Sequence, residues 1–331
     1  MIIKRPEFIC NPFVSVVIPS FNRESKVGET IDSIMNQKCK FDFEIIIGDD
    51  CSTDNAREVL QQYQEKYPQN IVLLFHDENI GLGANWATCV LQCRGKYIGN
   101  CDNDDYWHNP DKLQLQVDFM EANPKFGVIH TDYRKHNRVT GKITKEKATN
   151  SIIKNEPLQN SVMNGNFRCC NATVMYRKSV LEQYINLDDY IKYQFTLQDW
   201  NTWMILSNFT EFYCMPISTA TFGVETESIT RPNSFEKLEK RFDKEKECYK
   251  YICNFFPEKY PFVEEEYVAY SNSALLNLAF KLRDFAKARK HGAYCKNNSL
   301  KYKCSQNWLL FWIFVFAKNI VQIKYNQCFQ S

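Results

Sequence analysis

Net charge is nearly absent from this chain: 41 Lys and Arg stand against 39 Asp and Glu in 331 residues, leaving a formal +2. A general nucleic-acid binder shows a stronger basic excess, so that class is set aside. Paired cysteine spacing is absent too. The 14 cysteines contain no C-x-x-C, and apart from the adjacent Cys169 and Cys170 they are scattered through strand-like and helix-like runs. That pattern reads as buried, reduced thiols in a cytoplasmic protein, not as a disulfide scaffold. The five histidines do not stand at ligand spacing from cysteines, which argues against a zinc cluster. No repeat is visible. Met1-Ile2-Ile3 is followed at once by Lys4, Arg5 and Pro6, without an apolar h-region, so no signal peptide is expected. The only long apolar run, Trp308 to Ala317, has ten residues, short of the roughly 20 that a bilayer span needs. What is present is 44% hydrophobic residues, ample for a core in one large domain or two smaller ones.

The first half alternates strands and helices. Val14–Ile18, Phe43–Ile47, Ile71–Phe75, Tyr97–Asn100 and Phe126–His130 are continuous apolar runs. Between them lie helical patterns over 22–36, from Ala56, over Gly83 to Arg94 with Gly95 as its stop, and from Pro110. Continuous apolar strands joined by helices predict an α/β fold with a mostly parallel sheet covered on both faces. Residues 137–165 read as a polar loop, Cys170–Tyr176 and Phe212–Phe222 as strands, and a helix begins just after Gln198-Asp199. From Arg231 the chain turns charged and helical, which places a boundary near residue 230 and divides the protein into 1–230 and 231–331.

Ligands of such sheets bind beyond the carboxyl ends of the strands. Three strands here end in polar tips: Pro19-Ser20-Phe21-Asn22, Asp49-Asp50, and Asp102-x-Asp104-Asp105. Together with Asn79-Ile80-Gly81-Leu82-Gly83-Ala84-Asn85 and Gln198-Asp199-Trp200, in that chain order, these segments resemble the family 2 inverting glycosyltransferases of the bacterial cell-surface polysaccharide type. The resemblance covers residues 14–230. Two departures stand out: Gln-Asp replaces the more usual Glu-Asp at position 198–199, and three aspartates crowd the acidic segment.

The resemblance implies a GT-A fold, Rossmann-like with a C-terminal helical extension, and a nucleotide-sugar donor, with UDP favoured. It places Asp104 at a Mn²⁺ or Mg²⁺ ion, Asp105 as a second candidate ligand, and Asp102 toward the donor ribose or sugar. Hard carboxylate oxygens suit these cations, and carboxylates this close repel one another unless a cation is present; the alternative is an Asp-rich turn. Asp50 is assigned to the nucleobase with Asp49 as its rival, and Phe21 or Pro19 would pack on the ring; an Asx-turn is the alternative. Asn79, Gly81 and Asn85 would close over the donor, or form an ordinary turn. Asp199 is the expected general base, with helix capping as its alternative role and Asp188 and Asp189 as fallbacks. Arg168 is a candidate diphosphate contact, or a plain surface arginine, and Asn171 lies toward the acceptor side. Trp86 and Trp107 are expected in the core before a sugar-stacking role.

Eight Lys and Arg between Lys281 and Lys303, beside the Trp308–Ala317 run, read either as a peripheral membrane contact on the inner face of the plasma membrane or as a helix packed back on the protein. The expected acceptor is a glycan or a lipid-linked saccharide. A sugar nucleotidyltransferase is disfavoured because Pro-Ser-Phe-Asn-Arg-Glu-Ser follows the first strand, with no glycine before Gly28. A non-catalytic nucleotide-sugar-binding module is disfavoured by the presence of both Asp199 and the acidic segment.

Overall fold

A computed structural model of the chain describes residues 1–5, 11–148, 158–163, 167, 169–225 and 234–298. Arg168, Lys301, Lys303 and the Trp308–Ala317 run lie outside these residues. The chain divides into two compact units between Thr226 and Glu227.

The first unit is built on one sheet. An edge strand β1 (Ile2–Lys4) is followed by β2 (Val14–Ser20), α1 (Val27–Met35), β3 (Phe43–Asp49), α2 (Ala56–Lys66), β4 (Ile71–Phe75), α3 (Leu82–Leu91) and β5 (Tyr97–Asn100). Every residue of β2, β3, β4 and β5 is buried, as expected where both sheet faces are covered. These four strands run parallel in the spatial order β4-β3-β2-β5. The chain therefore steps outward from β2 to β4 and then returns to β5 on the other side of β2. That reversal opens a crevice between the carboxyl ends of β2 and β5, where sheets of this kind take ligands.

The sheet continues with β6 (Tyr106–Trp107), α4 (Lys112–Ala122), β7 (Phe126–Asn137), β8 (Ile143–Glu146), α5 (Leu158–Met163), β9 (Met175–Arg177), α6 (Lys178–Tyr184), α7 (Leu187–Tyr193), α8 (Gln198–Leu206) and β10 (Glu211–Val224). The full order is β1-β4-β3-β2-β5-β9-β7-β10-β6, with β8 paired to β7. β9 is antiparallel to both β5 and β7, while β7 and β10 run parallel.

Three expectations change here. The expected loop over 137–165 begins instead as a hairpin: β7 runs on to Asn137, whose Oδ1 accepts the amides of Val139 (3.1 Å) and Thr140 (2.9 Å), and Gly141 turns at φ +69 into β8. The expected strand over Cys170–Tyr176 begins later, at Met175 in β9, because Asn171–Thr173 form a 3₁₀ turn in which the Thr173 hydroxyl and amide both donate to the Cys170 carbonyl, at 2.7 and 2.8 Å. Gly95 is not a helix stop, since α3 already ends at Leu91.

Gly95 has a different task. The Glu44 carboxylate, fully buried, accepts the Ser15 hydroxyl at 2.7 Å, the Arg94 amide at 2.8 Å, and the Arg94 guanidinium at 2.8 and 3.0 Å. The Ser15 Oγ in turn accepts the Gly95 amide at 2.9 Å. A buried carboxylate is tolerated only when its lone pairs are met in this way. The clamp draws the backbone at Gly95 so close to β2 that an added Cβ would lie 2.5 Å from the Ser15 nitrogen and 2.7 Å from the Val14 carbonyl carbon.

The second unit consists, among the described residues, of α9 (Phe235–Phe255), α10 (Glu264–Leu282) and α11 (Phe285–Asn298). Ser234 caps α9 by accepting the Lys237 amide at 3.3 Å, and Glu264, Glu265 and Glu266 occupy the first turn of α10, where the helix dipole favours acids. Phe235, Leu238 and Phe242 share a small core with Leu275, Leu276, Leu278 and Ala279. Among the described residues no helix is long and apolar enough to cross a membrane.

Backbone, not a flexible side chain, meets the missing Cβ of Gly95. Gly95→Ala should therefore lower stability by about 1–3 kcal/mol, seen as a reduced denaturation midpoint; an unchanged midpoint would show that the β2–β5 contact relaxes freely.

Candidate functional site

The tips of β2, β3 and β5 converge as their strand order requires. Asn103 Nδ2 donates to Ser20 Oγ at 3.2 Å, and the Asp50 amide donates to the Ser20 carbonyl at 2.8 Å. Pro19 is buried within β2, whereas Phe21, the first residue past the strand, is 42% exposed and offers an apolar surface at this tip.

The acidic pair of β3 faces inward. Asp49 is fully buried and accepts Arg57 Nε at 2.6 Å and the Ser52 amide at 3.1 Å. Asp50 is 3% exposed, and its two oxygens accept the amides of Ile80 (2.7 Å) and Gly81 (3.0 Å). Burial pushes the Asp50 carboxyl up, opposed by those two amides. Asp50 thus anchors the 79–81 loop, whose Gly81 sits at φ +84, a left-handed conformation that suits glycine. Asn79 is exposed at the loop surface and donates to the Asp50 carbonyl at 3.2 Å. Asn85 lies behind the tips: it is 1% exposed and donates to the Gly48 carbonyl at 2.8 Å, tying α3 to β3.

The acidic segment after β5 separates its three carboxylates by giving each a different partner. Asp102 ends a buried relay. Trp86 Nε1 donates to Asn100 Oδ1 (3.2 Å), Asn100 Nδ2 to Asn171 Oδ1 (2.9 Å), and Asn171 Nδ2 to Asp102 Oδ1 (3.0 Å). Asp104 is met by Arg23, with Nη2 3.6 Å from Oδ2, while its backbone carbonyl accepts Arg138 Nη2 at 2.9 Å. Asp105 points into the protein. It is 1% exposed, Oδ1 accepts the Gly223 amide of β10 at 2.9 Å, and its carbonyl accepts the Thr30 hydroxyl at 2.6 Å. Asp105 therefore locks the segment to α1 and β10, and Asp102 and Asp104 are left as the pair nearer solvent. Trp86 and Trp107 are 1% and 4% exposed, which makes both core residues.

Crowding and burial show in the proton affinities. Burial, then the charges of Asp104 and Asp199, push the Asp102 carboxyl up to about 7. Burial raises Asp104 as well, against the pull of Arg23 and with a push from Glu225. Asp105 is held well above the ordinary range by burial and its two neighbours. Asp199 lies in the first turn of α8, where it accepts the amide of Trp200 at 2.7 Å and does not cap the helix, whose N-cap is Leu197. Burial raises its carboxyl too. The charge of Asp199 adds to the upward push on Asp102. Asp188 and Asp189 occupy the first turn of α7, beside Asn186.

Among the described residues no cluster of three or more His, Cys, Asp or Glu is arranged to hold a metal ion by itself. A Mg²⁺-type site needs only one or two carboxylates, the rest being phosphate oxygens and water. Asp105 is committed to the Gly223 amide, so Asp104 is the candidate ligand of the segment still open to solvent, with Asp102 beside it; burial and like charge raise both, a condition that a cation relieves. Sequence reasoning did not single out Arg23, Asn100 or Glu225 at this site. Arg23 follows the β2 tip directly, which was its one available signal; the other two are recruited by contacts distant in sequence.

Asp102→Asn tests this electrostatic picture without metal. The folded-state carboxyl at about 7 lies above its ordinary 3.8, so its stabilising proton is fully present below about pH 4 and lost as pH rises through about 7. With EDTA present, the variant should melt a few degrees above wild type at about pH 8 and show little difference at about pH 4. An equal offset at both would show that the carboxyl does not titrate in the cleft.

Residues 15–185 match the family model described as Glycosyl transferase family 2. An uncharacterized Mycobacterium tuberculosis protein is 36% identical over 112 residues, 34% of this chain and 32% of that one. The chondroitin synthase of Escherichia coli is 29% identical over 186 residues, 55% of this chain and 26% of that one. The chain thus spans about a third or less of the length of these curated relatives. Among solved structures, S. aureus TarS 1-349 in complex with UDP-GlcNAc superposes with a TM-score of 0.54 at 19% identity, over 81% of this chain and 72% of that one. The mannosyltransferase PcManGT from Pyrobaculum calidifontis, in complex with GDP-Man and Mn²⁺, gives a TM-score of 0.54 at 15% identity, over 96% and 84%.

Proposed function

Because the chain belongs to glycosyl transferase family 2 and has the GT-A fold, we propose that it moves a sugar from a nucleotide-sugar donor, a UDP-sugar, to a hydroxyl of a glycan or lipid-linked acceptor, with inversion. The observation that supports this reading is the convergence of the β2, β3 and β5 tips at the switch point, where Asn103 reaches Ser20 and Asp102 and Asp104 lie nearer solvent than Asp105.

In this reading Phe21 packs on the nucleobase, beside the loop that Asp50 holds in place. Asp102, oriented by Asn171, faces the donor ribose or sugar, and Asp104 holds the divalent cation. When bound, Mn²⁺ or Mg²⁺ neutralises charge that builds on the diphosphate as it leaves. Asp199 accepts the proton of the acceptor hydroxyl. The hydroxyl oxygen bonds to the anomeric carbon from the face opposite the nucleotide, the bond from that carbon to the diphosphate breaks, and the diphosphate departs with the electron pair. A base works best when its affinity for the proton lies near the working pH, and burial moves Asp199 in that direction. The basic residues from Lys281 onward and the Trp308–Ala317 run support contact with an anionic membrane surface, where a lipid-linked acceptor resides.

Two experiments test the reading. Asp199→Asn should reduce transfer by about 10²–10⁴-fold while calorimetry finds UDP binding within about twofold of wild type; full activity would remove Asp199 from the mechanism. UDP binding should require Mn²⁺, be lost in EDTA and in Asp104→Ala, and exceed that of GDP and dTDP. No nucleotide binding under any metal condition would make the acidic segment structural.

A further inference from the structure

Two arginines approach the acidic segment, and they are held very differently. Arg138 is firmly placed: its Nη2 lies 2.8 Å from Glu29 Oε2 and 2.9 Å from the Asp104 carbonyl, and its guanidinium stands over the Tyr106 ring. Arg23 meets the Asp104 carboxylate itself, but at 3.6 Å, beyond hydrogen-bond length. Its Nη1 makes one long bond to the Asn22 carbonyl at 3.3 Å, and its Nε, like that of Arg138, is buried without a partner among the described residues, so the two arginines differ in their Nη contacts. A guanidinium offers five donors, so this one has few protein partners among the described residues, and about a third of the side chain is open to solvent.

Its root, by contrast, is fixed. Asn22 sits at φ +49, a left-handed conformation that asparagine tolerates. The Asn22 amide donates to Ser52 Oγ at 2.9 Å, and Asn22 Oδ1 accepts the Thr53 amide at 2.8 Å. The backbone beside Arg23 is therefore tied to the β3 tip, and only the side chain can turn. It projects from a point between exposed Phe21 and the acidic segment. Lys26, a further basic group on this side, is drawn to Glu225 at 3.8 Å.

We propose that Arg23 is a displaceable counter-ion, which balances Asp104 when the cleft is empty and turns to the diphosphate oxygens when nucleotide and divalent cation enter together. The inference rests on the donor-site reading above. Guanidinium groups match phosphate oxygens in a planar, two-point geometry, which offers Arg23 the donors' partners it lacks beside Asp104. A cation entering alone must compete with Arg23 for Asp104. A cation entering with a diphosphate meets no such competition, because the diphosphate takes the arginine. Metal and nucleotide thus strengthen each other's binding, through a coupling that is reciprocal.

The test uses the full chain and two probes, Mn²⁺ alone and UDP with saturating Mn²⁺, on wild type, Arg23→Gln and Arg23→Lys, with matched denaturation midpoints as the folding control. Mn²⁺ alone, followed by its electron paramagnetic resonance signal, should bind Arg23→Gln about threefold to tenfold more tightly than wild type, a modest gain because the ion pair is partly solvated. UDP with Mn²⁺ should bind the same variant about tenfold more weakly, and Arg23→Lys, which keeps the charge without the fork, should fall between. Unchanged or weaker Mn²⁺ binding in Arg23→Gln overturns the counter-ion role, and unchanged UDP binding overturns the turn to the diphosphate. If wild type binds neither Mn²⁺ nor UDP, the donor-site reading fails and this proposal with it.

Discussion

Negative charge crowded beyond the end of β5 is the constraint around which the first unit is arranged. Asp102, Asp104 and Asp105 stand within four positions of one another, with Asp199 and Glu225 close enough to be felt. Left alone, such groups would take up protons or push the segment apart. The fold answers by treating them unequally. Asp105 is turned inward onto the Gly223 amide, Asp102 is gripped by an asparagine, and Asp104 is given a loosely held arginine. One burdened sequence segment thereby becomes a lock, an oriented acceptor and an exchangeable charge.

That inequality depends on a frame fastened on both sides of the acidic segment. The Glu44 clamp secures the entry to β5 against β2, and the parallel pairing carries its position to the far ends of both strands, where Phe21 and Asp102 emerge. β10 secures the other wall. It pairs with β7 over most of its 14 residues and delivers Gly223 to Asp105, so the acidic segment is fastened from both directions. In Gly223 itself a Cβ would lie 2.5 Å from the Asp104 carbonyl oxygen, which shows how close the two segments come.

Much of this frame was readable in the order of residues. Runs such as the fully apolar Ile71–Phe75 and the largely apolar Tyr97–Asn100 became strands at the expected bounds, because burial on both faces leaves a near-continuous signal. The convergence of three polar tips followed from the same logic. What escaped were arrangements joining distant positions. Nothing local in Asn100 or Asn171 announces that they share a hydrogen bond, 71 residues apart. The inward turn of Asp50, toward amides 30 residues on, was equally invisible. Short strands such as Tyr106–Trp107 were missed because two residues carry no periodicity.

The relay from Trp86 to Asp102 has a polarity. An indole nitrogen only donates, whereas an amide side chain can rotate to present either its oxygen or its nitrogen. Trp86 therefore obliges Asn100 to offer oxygen inward and nitrogen onward, and the same obligation passes through Asn171 to the carboxylate. The chain can be read in one direction only. A tryptophan deep in the core thus dictates that the group at the cleft surface be an acceptor, so the handedness of a single heterocycle's hydrogen bonding is transmitted to the edge of the protein.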